Sequence, residues 1–541
     1  GDDATGITLA GSTTLSSGSG TINIAGAMAG ADDNDALIIN STGTTNITAA
    51  ISGITTLTTN ANGTTAVSAN ISSSGQQTFN DAVTVDGTLD FTASQVEFNS
   101  TLQGADGTDD NLTISGILDL NAAATNLTSL DVEGSSDLAA NVTTSGTQEY
   151  TGASVMSGGA ARTLTGSTVL FGTTVDGGAQ NLTIDGILNL NGALTNTTNF
   201  EVTGASTLAG DVTTTGTQTY TDAVTLSGAA RTLTSTASGA VLFSSTIDGT
   251  QDLTVATGGL TTFDGLVGNT TILGAIDISG TGGLDLDANI ASAASLAVTG
   301  ATNLGANVTT TGAQIYTGNV TQSAISALIT TDSNITFGGT VVGDGDNDDL
   351  TINVGSGTVQ FQGAVGGTAM GAIAITGNLN LDAAVTDANS LTVTKASNLG
   401  ASVTTSGVQT YGTNNADITT ISTDVTLTTT DNNITMRSID GAAGTEDLAF
   451  NTGSGEITVE GDVTDITILT LTDSGGATFN GSVDATTVTI TDQNADDDTV
   501  IFNDTLTATT LNVAAGTVDY DVELNGGGTI TNFVDFKNTG T

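Results

Sequence analysis

The sequence predicts an all-β chain wound as a parallel β-helix, a β-solenoid with about 23–24 residues per coil. Three observations predict it: a nine-residue phrase that recurs at two spacings, strand-sized apolar triplets closed by turn residues, and a length increment close to one coil. The phrase appears as ISSSGQQTF from Ile71, VTTSGTQEY from Val142, VTTTGTQTY from Val212, VTTTGAQIY from Val308 and VTTSGVQTY from Val403. Four of the five tyrosines in the chain (Tyr150, Tyr220, Tyr316, Tyr411) close a copy, and Phe79 closes the remaining one. A fixed phrase in a chain with 4% aromatic residues marks an internal repeat.

The triplets give the secondary structure. Leu112-Thr113-Ile114, Leu118-Asp119-Leu120, Leu130-Asp131-Val132 and Ile276-Asp277-Ile278 alternate apolar and polar residues, which is the period of a strand. Thr and Val favour strands, while the flanking Gly, Asn and Asp favour the turns between them. No stretch carries convincing helical periodicity; Ala122 to Asn126 comes nearest and is short.

The spacing gives the architecture. The phrase glycines Gly75, Gly146, Gly216, Gly312 and Gly407 stand at successive intervals of 71, 70, 96 and 95 in the sequence. A second phrase, of the form Asp/Asn-Leu-Thr-Ile, starts its triplet at Leu112, Leu182, Leu253, Leu350 and Leu448 and follows each glycine at a steady interval. The long repeats therefore carry an insertion in one place, and its size is close to one coil. Read as three and four coils, the two repeat lengths both give a coil of about 23–24 residues, because inserting a whole coil keeps every later strand in register. The expectation is one continuous solenoid over 1–541, about 23 coils and roughly 110 Å long at about 4.8 Å per coil. Parallel crossovers set right-handedness as the expected hand. A string of immunoglobulin-like sandwiches is the alternative. It would need a linker between repeats, and an insertion of this size would require an added hairpin.

Composition restricts function. There are 56 Asp and Glu against five Lys and Arg, a net charge of −51. Such a surface repels nucleic acid and anionic membranes and attracts divalent cations. No apolar run is long enough for a membrane helix, so membrane insertion is not expected. The absence of His and Cys removes Ser-His-Asp, Cys-His and thiolate chemistry. Paired carboxylates could still cleave glycosides, but the five cations (Arg162, Arg231, Lys395, Arg437, Lys537) are scattered, and a polyanionic sugar would be repelled. The expected class is therefore not an enzyme. Residues 1–30 carry no basic n-region and no h-region, as expected of a mature exported chain.

Val142 to Gly265, with VTTTGTQTYTDAVTLSGAARTLT, VLFSSTIDGTQDLTV and GGLTTFDGLVG, resembles the strand repeats of filamentous-haemagglutinin-like adhesins and related autotransporter passengers. The likeness extends over most of residues 65–480. It implies a right-handed β-helix and an extracellular, cell-surface, adhesive or matrix role, and it carries no catalytic residues across.

Metal binding has one strong candidate. In Gly343-Asp344-Gly345-Asp346-Asn347-Asp348-Asp349, Asp344, Asp346 and Asp348 stand at loop positions 1, 3 and 5, a spacing that suits oxygen ligation of Ca²⁺. The remaining positions depart from an EF-hand, with Asp349 at position 6 and Gly355 at position 12. Asp344, Asp346, Asp348 and Asp349 are the expected ligands, against a solvated turn in which Asp and Gly only supply tight geometry. Related clusters are Asp32-Asp33-Asn34-Asp35, Asp106 with Asp109 and Asp110, and Asp496-Asp497-Asp498. Asp-Gly pairs at Asp176 and Asp248, with Asp440 nearby, read as turns.

Strand patterning starts by Ile7-Thr8-Leu9 and runs to Phe533-Val534-Asp535-Phe536, with no helix, Pro or Lys cluster to block pairing. End-to-end self-association into a surface or matrix filament is the expected function. A cell-surface adhesin that binds glycans or neighbouring cells is the alternative.

Overall fold

The computed structural model describes residues 6–32 and 34–540. Among them there is no helix, and every strand pairing is parallel. The strands divide into two compact units, Gly1–Gly265 and Leu266–Thr541, together holding about 26 coils. A β-solenoid is thus the architecture of each unit.

Each coil of the first unit has three faces, two of them sometimes joined by one strand that turns the corner, as Thr88–Phe98 does, so three columns of side chains face inward. One column follows the register Met28, Ile51, Ile71, Phe91, Ile114, Val132 and Tyr150. All are 3% exposed or less, while Thr113 and Asp131 between them point outward. Parallel sheets are usually covered on both faces. Here only the inner face is covered, which is why the strands alternate. Each buried Ile, Leu or Val contributes about 1.5–3 kcal/mol, and the column repeats that contribution coil after coil.

The register revises the coil length. Ser136 pairs with Ser154 on the next coil, a sequence separation of 18. Ile114 to Val132 and Val132 to Tyr150 are coils of the same short kind. By contrast, Ser17 Oγ donates to Ser41 on the next coil across a separation of 24, and Gln409 pairs with Ile434 in a coil of the long kind. The fixed coil length expected from the repeat spacing is therefore replaced by short and long coils. Short coils turn every corner within two to four residues, and in three of them a single left-handed residue makes one corner: Asn126, Asn196 and Asp387 have φ of 57°, 55° and 57°. Asn and Asp tolerate this conformation best among residues with a Cβ.

The repeat is likewise not three coils. Gln77 pairs with Val96, Val96 with Leu118 and Leu118 with Ser136, which makes three coils. The next copy, at Gln148, lies two strands further, on the face of Leu130 and Leu112. Gln218 lies on the third face, opposite Phe200 and Leu182. Each short repeat is three coils and two faces. In the second unit, Gln314 is followed by Ile335, Val359, Leu379 and Ser397 through four coils, and Gln409 again lies two strands on. The long repeat differs from the short one by one whole coil, as its extra length suggests.

Candidate functional site

The recurring phrase is a corner lock inside the solenoid. Its Val and Thr end one face, its Gly crosses the corner, and its Gln and aromatic residue begin the next. Gln148, Gln218, Gln314 and Gln409 are all 0% exposed. The Gln218 amide donates to Val212 O at 3.4 Å, to Thr214 Oγ1 at 3.3 Å and to Thr234 O on the next coil at 2.9 Å. Tyr220 O–H donates to Gln218 Oε1 at 3.1 Å. The same 3.1 Å bond closes the other three tyrosine copies. Burial raises the pKa of all four tyrosines far above the ordinary phenol value. Tyr150, Tyr220 and Tyr316 stack on Phe171, Phe243 and Phe337 of the next coil, at centroid distances of 5.4, 5.1 and 5.2 Å. In the first copy, where Phe79 replaces Tyr, Gln77 Oε1 is buried without a partner. The Gln and Tyr side chains of the phrase are sealed in the interior, while Thr404, Thr405 and Ser406 of one copy line a shallow polar cleft with Asn347, Asp387 and Asn389.

The acidic loops are placed differently from one another. Asp344, Asp346, Asp348 and Asp349 lie in the loop between the strands Val341–Gly343 and Leu350–Phe361. Asp344 Oδ1 accepts from Asp346 N–H at 3.1 Å, and Asp349 Oδ1 accepts from Ala372 N–H at 2.7 Å. Partial desolvation, followed by the charges of Asp344, Asp346 and Asp349, raises the pKa of Asp348. Among the described residues, the acidic side chains whose ligand atoms all approach within 4.8 Å are Asp106, Asp109 and Asp110 instead. That triad is occupied by its own turn. The buried Asp110 Oδ2 accepts from Asp106 N–H at 3.1 Å and Gly107 N–H at 2.8 Å, and Asp106 Oδ1 accepts from Thr108 N–H at 2.8 Å. Asp35 does the same for Ala31 at 2.8 Å, and Asp498 for Ala495 at 2.8 Å. Asp33 lies outside the described residues. Asp176 is also a turn residue, accepting from Gly178 N–H at 2.9 Å.

Two residues with no role assigned from sequence are buried cations. Arg162 and Arg231 are 3% and 8% exposed. Arg162 donates to Leu138 O at 2.9 Å, Ala160 O at 2.8 Å and Ala161 O at 3.1 Å, and also to Ser157 O. Arg231 donates to Ala229 O at 3.0 Å and to Ala209 O, and lies 3.6 Å from Asp211. Each seals the loop that precedes its strand. The legible signal was the heptapeptide GAARTLT, present at both Gly159 and Gly228 in a chain with five cations.

On the outer surface like charges are stacked. Glu97 stands opposite Asp119, and Asp119 opposite Asp137, one coil apart. Partial burial, then the charges of Glu97 and Asp137, raise the pKa of Asp119 above 3.8. A raised carboxyl pKa stabilises the fold below the unfolded value and is lost as pH rises through the folded one. Asp119→Asn is therefore expected to be more stable than the parent at pH 7, by about 0.5 kcal/mol given solvent screening. The difference should vanish on acidification, which thermal melts at the two pH values would measure.

No protein-family model, curated protein or solved structure matches the chain.

Proposed function

We propose that the protein is a structural element of an extracellular bacterial surface or matrix, a solenoid that joins further copies end to end. The observation that carries this reading is the one-coil difference between the long and short repeats. It alters the number of coils and leaves the corner lock unchanged, as expected of a chain selected for extent. The acidic, threonine-rich outer face suits a solvated surface layer and resists clumping.

Strands with one partner among the described residues mark where such a contact would be made. The strands Ile7–Leu9, Thr13–Gly18 and Ile22–Ile24 each pair on one side only among the described residues. Beside them Leu9, Leu15, Ile22, Ile24 and Met28 line an open apolar mouth. In the second unit, Tyr520–Leu524 and Gly528–Ile530 likewise have one partner each, and Phe533 and Phe536 are 92% and 49% exposed. Unpaired edges template further strands, and stacking of unlike ends does not close.

Thr8 and Asn23 test it. Ile7 N–H donates to Ala27 and Ile24 O accepts from Thr48, so the intervening Thr8 and Asn23 turn their backbone groups to the open edge. Thr8→Pro with Asn23→Pro should abolish concentration-dependent assembly in sedimentation velocity without shifting the melting midpoint. Equal assembly by parent and variant would refute this contact.

A further inference from the structure

The cleft beside the Val403 copy of the phrase has a volume of about 560 Å³ and crosses four successive coils of the second unit. Register stacks Met370, Ala388, Thr405 and Thr429 one per coil beneath it, all buried. The residues flanking that column are exposed: Asp387 and Asn389 in one coil, Thr404 and Ser406 in the next, then Thr430. The recess has a local cause. The coil holding Asp387 turns this corner inside one unbroken strand, Val385–Val393, with Asp387 left-handed at φ 57°. Below it the longer loop between Val341–Gly343 and Leu350–Phe361 brings Asn347 to the cleft as one wall. Above it the chain turns through 430–433, between Val425–Thr429 and Ile434–Met436. Both walls are tied down. Gly371 N–H donates to Asp348 O at 3.0 Å, and Ala372 N–H donates to Asp349 Oδ1 at 2.7 Å. The Asn432 amide donates to Ser406 O at 3.0 Å and to Thr430 O at 2.6 Å. The side chains that face the hollow are left available. Among the described residues, those of Asn347, Asp387, Thr404 and Thr430 make no hydrogen bond, and Ser406 reaches Asn389 only at 3.4 Å.

We propose that this cleft binds a neutral oligosaccharide of about three units, extended across the coils. Its volume is that of a small-molecule site. Hydroxyls and amides both donate and accept hydrogen bonds, as sugar hydroxyls do. The single carboxylate, Asp387, adds a strong acceptor. One carboxylate among neutral groups does not make a cation site, and the acidic loop that carries Asn347 repels anionic sugars. Coils recur at about 4.8 Å, close to the rise of one pyranose in an extended β-linked chain. Consecutive rings therefore meet equivalent pairs of polar groups, Asp387 with Asn389 and then Thr404 with Ser406. Ala369 and Met370 give the cleft an apolar end against which a ring face can lie. Walls already fixed by backbone bonds keep the ordering cost of binding low. The site lies within one unit and does not depend on end-to-end stacking.

Calorimetric titration of the full chain with cellotriose and with N-acetylchitotriose, two uncharged β-linked trisaccharides, tests the site. One saturable site is expected for at least one of them. Thr404→Val with Thr430→Val removes two exposed hydroxyls at equal volume and should weaken that site by about tenfold. Asn347→Gly keeps the left-handed backbone and should also weaken it. Thr213→Val, at the same place in the Val212 copy, should leave it unchanged. All three variants should melt at the parent's midpoint, which separates lost binding from lost fold. Absence of a saturable site for both sugars overturns the proposal, as does parental affinity in Thr404→Val with Thr430→Val. Spermidine provides the charged probe: saturable spermidine binding that those variants abolish, with neither sugar bound, would make the cleft a cation site and overturn it equally.

Discussion

Gln218→Leu is expected to lower the unfolding free energy by about 2–3 kcal/mol, because the Tyr220 hydroxyl loses its acceptor and two carbonyls that the strand ladder also engages lose a second donor. Tyr220→Phe should cost less, about 1–2 kcal/mol, since it orphans only Gln218 Oε1. The first copy already shows that situation: Phe79 leaves Gln77 Oε1 buried and unpaired. Phe79→Tyr is therefore expected to be neutral or stabilising, the reverse of Tyr220→Phe. Chemical denaturation of the three variants checks both the order and the sign. Equal effects of Gln218→Leu and Tyr220→Phe would mean that the amide's bonds across the corner contribute nothing.

Gly146→Val should be nearly as damaging, by about 2–3 kcal/mol. A Cβ at Gly146 would lie 2.7 Å from Thr128 O, the carbonyl one coil back to which the Gly146 N–H donates at 2.8 Å. The same 2.7 Å approach recurs at Gly75, Gly312 and Gly407. Backbone cannot yield there without pulling two coils apart. The neighbouring exposed Ser145 provides the control, and Ser145→Ala should be near neutral. Thermal unfolding of the pair separates the requirement for glycine from a general sensitivity of the corner.

These two residues also show what the sequence conceals. The phrase was legible as a repeat, and its glycine as a turn, because both recur in a chain otherwise low in distinctive residues. That the glutamine faces inward was not legible, since glutamine is rarely buried and a period-two pattern does not say how a polar residue is satisfied. The solenoid class and the one-coil increment followed from spacing alone. The true coil length did not. The corners range from two-residue turns to acidic loops, and in a sequence full of Gly, Asn and Asp nothing marks which turns are tight, Asn126, Asn196 and Asp387 among them. Averaging over the repeat then assigned three coils to what the register resolves as three and two-thirds.

The acidic loops were only half legible for the same reason. Spacing singled out Asp344, Asp346 and Asp348, but spacing does not reveal which carboxylates are used by their own turn. Asp110 resembles the others in sequence and is buried against backbone amides.

Electron cryo-microscopy of the parent protein at rising concentration, in physiological salt with millimolar Ca²⁺, tests the structural reading most directly. The account predicts unbranched filaments in which the strand spacing of about 4.8 Å runs along the filament axis and continues through each junction between copies. Thr8→Pro with Asn23→Pro should yield separate particles under the same conditions. Separate single-chain particles from the parent at every concentration, or filaments joined side by side with their ends free, would contradict it.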